Sequence, residues 1–135
     1  MENVTIAMVG DSFVGKTCLV FCYAKDEFIE QYFSTVSDEY SIPDLLCNDK
    51  TVKLSVWDLG DKPEHKSIRE IAYNKADAVL FCFSLADQPV AGSTKGISHL
   101  SLGSVATQWL AELEGKKVIK ILVGTKSDQL FQQAD

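Results

Sequence analysis

No apolar stretch in this chain approaches the roughly 18 residues that a membrane-spanning helix needs. The N-terminus enters a strand-like pattern without a basic and apolar leader, so the chain is expected to stay in the cytoplasm. Basic residues are in the minority. Thirteen Lys and Arg stand against 19 Asp and Glu, a net charge of −6, which argues against nucleic acid or anionic lipid as a non-specific partner. The four cysteines, Cys18, Cys22, Cys47 and Cys82, show neither CxxC nor Cys/His spacing, which speaks against a zinc site or a redox pair. In their apolar surroundings they read as reduced thiols of a core. The C-terminal Gln-Gln-Ala-Asp135 has no cysteine for prenylation, so no direct membrane anchor is expected and any membrane location would come through a partner. Internal repeats are absent. What remains is an ordinary globular composition, 46% hydrophobic and 24% charged, in 135 residues, enough for one domain and too few for two.

Hydrophobic patterning supplies the elements. Val4-Thr-Ile-Ala-Met-Val9 is a short apolar run rich in β-branched residues and ended by Gly10, the pattern of a buried parallel strand. Lys16 to Ala24 then places Leu19, Val20 and Tyr23 at helical spacing, suited to packing on a sheet. Residues 29–41 hold no sustained period and read as a loop that edges into strand at its end; loops of that length usually carry function. Ile42–Cys47 and Thr51–Trp57 flank Asn48-Asp49-Lys50, and a hairpin is the economical reading. Ala78–Phe83 and Val118–Val123 are two further strand-like runs, each preceded by a helical segment. Residues 86–104 are Gly/Ser-rich and read as an inserted surface loop before a helix through Trp109 and Leu113. The order βαββαβαβ predicts one α/β domain over residues 1–135, a three-layer fold with a mostly parallel sheet flanked by helices.

Between the first strand and the first helix lies Gly10-Asp-Ser12-Phe13-Val14-Gly15-Lys16-Thr17, a GxxxxGK[ST] loop. A triphosphate needs many donors close together, and a backbone supplies them only where side chains do not intervene; Gly10 and Gly15 meet that need. The N–H groups of Val14 to Cys18 would point inward at the helix start, where the helix dipole favours negative charge. Lys16 can reach the β- and γ-phosphates and the Thr17 hydroxyl can ligate Mg²⁺. The bland alternative, a glycine turn capped by Thr17, does not account for the whole pattern in this setting. A second segment, Gly124-Thr125-Lys126-Ser-Asp128, follows a buried strand, and ligands of α/β sheets bind beyond the carboxyl ends of strands. A carboxylate there can accept from the N1–H and exocyclic amine of guanine, a donor pair adenine lacks, so Asp128 would select guanine. An adenine-nucleotide kinase is disfavoured on that ground, and no arginine-bearing lid is evident.

In order along the chain, Val9–Leu19, Thr35-Val-Ser-Asp-Glu-Tyr40, Trp57-Asp58, Cys82-Phe-Ser-Leu85 and Ile121–Asp128 resemble the Rho/Rac branch of the Ras-like small GTPases. The resemblance implies a GTP/GDP switch with Mg²⁺. It implies that Phe28 packs against the guanine, Lys126 lies along the base, Tyr32 closes over the phosphates, and Thr35 completes the Mg²⁺ shell together with Thr17, with Asp58 acting through a water. Loop order would then follow the γ-phosphate. Partners implied are exchange factors, activating proteins and effectors of the Rho type, engaged through residues 32–40 and 58–73, with a role in actin organisation.

Three departures limit that inference. The family's Asp-x-x-Gly-Gln segment is replaced by Asp58-Leu59-Gly60-Asp61-Lys62-Pro63-Glu64, one residue short and without the glutamine that aligns a water. Lys16, Thr35 and Gly60 remain as catalytic candidates, with Asp61 a weak one, since a carboxylate cannot both donate and accept as an amide does. Ser12 stands where the family usually has a second glycine, adding a side chain where the water must fit. Slow hydrolysis is expected. The family domain also continues with another strand and helix beyond the point where this chain stops, at Asp135. A bare sheet edge, reduced nucleotide affinity, marginal stability, and either a monomer or a partner covering the edge are therefore expected. A degenerate, non-cycling module that binds Rho regulators or effectors is the competing reading.

Overall fold

A computed structural model describes residues 2–11, 14–25, 37–86 and 101–126. Five strands form one sheet in the order β2-β3-β1-β4-β5. β1 is Glu2–Gly10, β2 Ser37–Cys47, β3 Lys50–Leu59, β4 Ala78–Ser84 and β5 Ile119–Thr125. All neighbours are parallel except β2 and β3, which form the expected hairpin. Its turn is two residues, Asn48 and Asp49, both at positive φ (50° and 65°), a conformation their short polar side chains tolerate; Lys50 already pairs with Cys47. The register of the hairpin shifts between Ile42 and Leu45, and Pro43 sits in that irregularity on the edge strand, where its missing N–H costs least.

The helices are α1 (Lys16–Lys25), α2 (Lys66–Lys75, entered through a 3₁₀ turn at Pro63–His65) and α3. α3 opens as Ser101–Ser104, passes through a π-helical stretch at Val105–Trp109 and closes at Leu110–Glu112. With the strands this gives βαββαβαβ, as the patterning predicts. Alternation along the central strands divides the core between two faces. Ala7, Val9, Val79 and Phe81 point to the side of α2 and α3, where they meet Ala72, Tyr73, Val105 and Trp109. Met8 and Cys82 point to the other side, with Val14 and Val20 of the α1 region. α1 also meets β2 through an edge-to-face contact between Phe21 and Tyr40, 6.4 Å between centroids.

Several local expectations change. In α1 only Lys16 and Val20, one turn apart, are buried; Leu19 and Tyr23, expected on the packing face, are exposed. Helical spacing alone did not show which of two adjacent rows meets the sheet. Of the cysteines only Cys82 lies in the core, where burial pushes its thiol up to about 12; Cys22 and Cys47 are exposed. Residues 101–104, placed in the 86–104 loop because of their Gly/Ser content, are helical. Buried Ser101 accepts the Ser84 N–H at 2.8 Å, and the small Gly103 is buried beside it; residues 87–100 lie outside the described residues. β5 is an edge of the sheet, with Ile119, Ile121 and Leu122 exposed. Among the described residues no helix is long and apolar enough to cross a membrane.

Candidate nucleotide-binding site

The site forms where β1, β3, β4 and β5 end on the same side of the sheet. Gly10 closes β1 opposite Cys82, at φ +153°, and a Cβ there would lie 2.4 Å from the Cys82 carbonyl oxygen. Close strand packing therefore demands this glycine, in addition to the phosphate access inferred from the sequence. Gly15 stands at φ +95°, with Thr125 Oγ1 and the Lys126 side chain 3.9 Å from where its Cβ would be. Its need is conformational.

Lys16 starts α1 and is buried; its ammonium donates to the carbonyls of Gly10 at 3.0 Å and Asp11 at 2.9 Å. Burial lowers its pKa, and the charges of Asp58 and Asp61 oppose that shift. One residue on, the Thr17 hydroxyl donates to Asp58 Oδ2 from the end of β3. Asp58 is 0% exposed and its Oδ1 has no hydrogen-bond partner among the described residues. Burial raises its pKa, against the stabilising hydrogen bond from Thr17 and the charge of Lys16. A buried carboxylate oxygen left unpartnered beside a hydroxyl and an ammonium is a costly arrangement unless something occupies it. Two hard oxygen donors, Thr17 Oγ1 as a direct ligand and Asp58 acting through a water, fit Mg²⁺, which takes few protein ligands and fills its shell with water and phosphate oxygens.

Thr125, the last residue of β5, ties the second predicted segment to the first. Its Oγ1 donates to the Val14 carbonyl and lies 3.0 Å from that of Phe83, and its own carbonyl accepts from Leu85 N–H at 2.9 Å. Lys126 follows at φ +60°, beside Gly15. Gly10, Val14, Gly15, Lys16, Thr17, Cys18, Asp58, Thr125 and Lys126 thus converge on one end of the sheet. Ser12, Phe13, Phe28, Tyr32, Thr35 and Asp128 lie outside the described residues. Gly60 and Asp61 follow β3 directly. The Gly60 carbonyl is held by Arg69 Nη1 at 2.9 Å, and the same nitrogen reaches the Lys62 carbonyl at 2.8 Å. The sequence pattern assigns no individual role to Arg69, Glu112, Trp109 or Asp11, because nothing local signals that an Arg and a Glu on separate helices will pair.

A mostly parallel sheet whose first strand feeds a glycine loop, a Lys-Thr pair and a facing aspartate is the P-loop architecture of Ras-like folds. A model of the Ras family matches residues 5–134, and the chain belongs to that family. It is similar to Rho-related protein racE of Dictyostelium discoideum, 36% identical over 133 residues, which cover 97% of this chain and 54% of the relative. Rho-related protein racC of Entamoeba histolytica is 34% identical over 128 residues, covering 93% of this chain and 60% of the relative. Both are of the Rho type that the motifs resemble, and the chain spans little more than half the length of either.

Proposed function

We propose that this chain is a guanine-nucleotide switch of the Rho/Rac type that binds GTP and GDP with Mg²⁺ and hydrolyses GTP slowly. The observation that carries the reading is the convergence of Lys16, Thr17 and buried Asp58, one of whose oxygens has no partner among the described residues, at the mouth of the glycine loop. Phosphate oxygens would replace the Gly10 and Asp11 carbonyls as acceptors for Lys16, while backbone N–H groups from Val14 to Cys18 bind the same anion. Mg²⁺ held by Thr17 and Thr35, and by Asp58 through a water, would offset phosphate charge. Thr125 and Lys126 lie beside the loop, and Asp128, two positions further along the sequence, is the residue proposed to select guanine.

In hydrolysis a water oxygen bonds to the γ-phosphorus, the bond to the β-phosphate oxygen breaks, and GDP, phosphate and a proton leave. No glutamine stands after Gly60 to orient that water, and Asp61 places a carboxylate near an anionic centre, which favours slow turnover. Rho-type regulators and effectors engaging residues 32–40 and 58–73, an actin-related role and a cytoplasmic location complete the proposal.

The test titrates fluorescent GDP and GTP with and without Mg²⁺ and follows phosphate release in a single turnover. Mg²⁺-dependent binding of both nucleotides, abolished in Lys16→Ala, is the expected result. Tight GTP binding without any release would make the chain a locked switch; no binding would leave the non-cycling module that engages regulators by its surface.

A further inference from the structure

Behind the phosphate loop runs a buried polar chain that nucleotide binding and hydrolysis leave unused. Trp109, 1% exposed, donates its Nε1–H to Asp11 Oδ1 at 3.1 Å, and Asp11 is the residue whose carbonyl holds the Lys16 ammonium. The Arg69 guanidinium lies over the Trp109 ring, 5.2 Å from its centroid. Arg69 Nε and Nη2 grip the two carboxylate oxygens of Glu112 at 3.0 and 2.8 Å, and Tyr73 donates to the same carboxylate at 2.7 Å. The remaining arm of Arg69 holds the Gly60 and Lys62 carbonyls. One unbroken path thus leads from Lys16 through Asp11, Trp109 and Arg69 to the backbone that follows Asp58.

The path is stiff for physical reasons. The indole is planar, so the position of its N–H edge fixes that of the face on which Arg69 stacks. Arg69, 2% exposed, cannot leave Glu112 without stranding a buried charge, so it swings only with its neighbours. Trp109 ends the π-helical stretch of α3, a local geometry that is rare and concentrates at functional places. The structure shows the 60–62 backbone tied to Arg69; its release from that hold would be the second arrangement that coupling requires.

We propose that Trp109 is a positioning residue that couples the phosphate loop to residues 60–62. Phosphates that draw Lys16 off the Asp11 carbonyl let Asp11 move, the indole edge follows, and the hold of Arg69 on Gly60 and Lys62 changes. The nucleotide-dependent half of this inference rests on the proposed nucleotide site; the mechanical link between Asp11 and residues 60–62 does not.

Hydrogen–deuterium exchange on the whole chain separates the two. Trp109→Phe keeps a ring under Arg69 and removes only the indole donor. Without nucleotide, amides of residues 60–66 exchange about fivefold faster in Trp109→Phe, the change expected for one lost hydrogen bond of ordinary net strength. Asp11→Ala, which removes the acceptor from the loop side, produces the same acceleration, and the double variant adds nothing further. With GDP and Mg²⁺, the wild-type chain changes its exchange at residues 60–66, and that response shrinks severalfold in Trp109→Phe although nucleotide still binds. Unaltered exchange at residues 60–66 in the nucleotide-free variants, or an undiminished response to GDP in Trp109→Phe, overturns the proposal. If the wild type binds no nucleotide, the functional reading fails and the nucleotide-free arm alone decides the link; if Trp109→Phe does not fold, Asp11→Ala decides it.

Discussion

Replacing Arg69 by Met probes the energetics of the buried network without creating a void. The guanidinium makes two hydrogen bonds to Glu112 and one each to the Gly60 and Lys62 carbonyls, and all are lost together. Glu112, whose side chain is 11% exposed, keeps among the described residues the Tyr73 hydrogen bond and the more distant charge of Lys66. Removing one partner of a buried ion pair costs about 3–5 kcal/mol, because the other charge is left uncompensated. The slight exposure of Glu112 lets water recover some of this, so about 3 kcal/mol is the expected loss. A domain of this length is typically stable by about 5–15 kcal/mol, so the loss is large. At roughly 3–5 °C per kcal/mol for this size, Tm should fall by about 10–15 °C. Thermal melting by far-UV circular dichroism at pH 7 measures it. The double variant Arg69→Met/Glu112→Leu should regain part of the loss, since it also removes the stranded carboxylate. An Arg69→Met protein melting within about 3 °C of wild type would refute the network's structural role.

The same pair predicts a pH dependence. Burial alone would raise the Glu112 pKa, but hydrogen bonds from Arg69 and Tyr73 and the charge of Arg69 hold it below the ordinary 4.5. Below pH 4.5 the unfolded chain therefore binds more protons at this group than the folded one, and wild type loses stability as pH falls through the lowered folded pKa. Arg69→Met should lack most of that acid sensitivity. Gly10→Ala places a Cβ 2.4 Å from the Cys82 carbonyl at positive φ. Backbone strain of about 1–3 kcal/mol and overpacking of a similar size should lower Tm strongly. Gly124→Ala, whose Cβ meets only the Leu85 side chain at 2.9 Å and at no unusual φ, should cost less in the same melting assay. A thiol reagent added to the native protein should modify exposed Cys22 and Cys47 rapidly and Cys82 only on unfolding, because its thiol is buried and held protonated; mass spectrometry of the labelled peptides checks the order.

Local residue patterns encode the succession of elements and the glycine loop between β1 and α1. A short apolar run rich in β-branched residues and ended by glycine, such as Val4–Val9, reads as a strand, and the GxxxxGKT spacing is complete within eight consecutive residues. The turn at Asn48 and Asp49 was legible for the same reason, because those side chains tolerate positive φ. Whatever depends on distant residues meeting is set by the folded arrangement. It chose which row of α1 faces the sheet, left Leu19 and Tyr23 outside, and put only Cys82 among the cysteines into the core. It joined Thr125 to Val14 across 111 positions, Trp109 to Asp11 across 98, and Arg69 to Glu112 across 43. A charged side chain on a helix looks solvated until its partner is known, and these partners are supplied by the stacking of helices on the sheet. Burial then converts a pair worth little at the surface into one that holds the backbone after Asp58 in place.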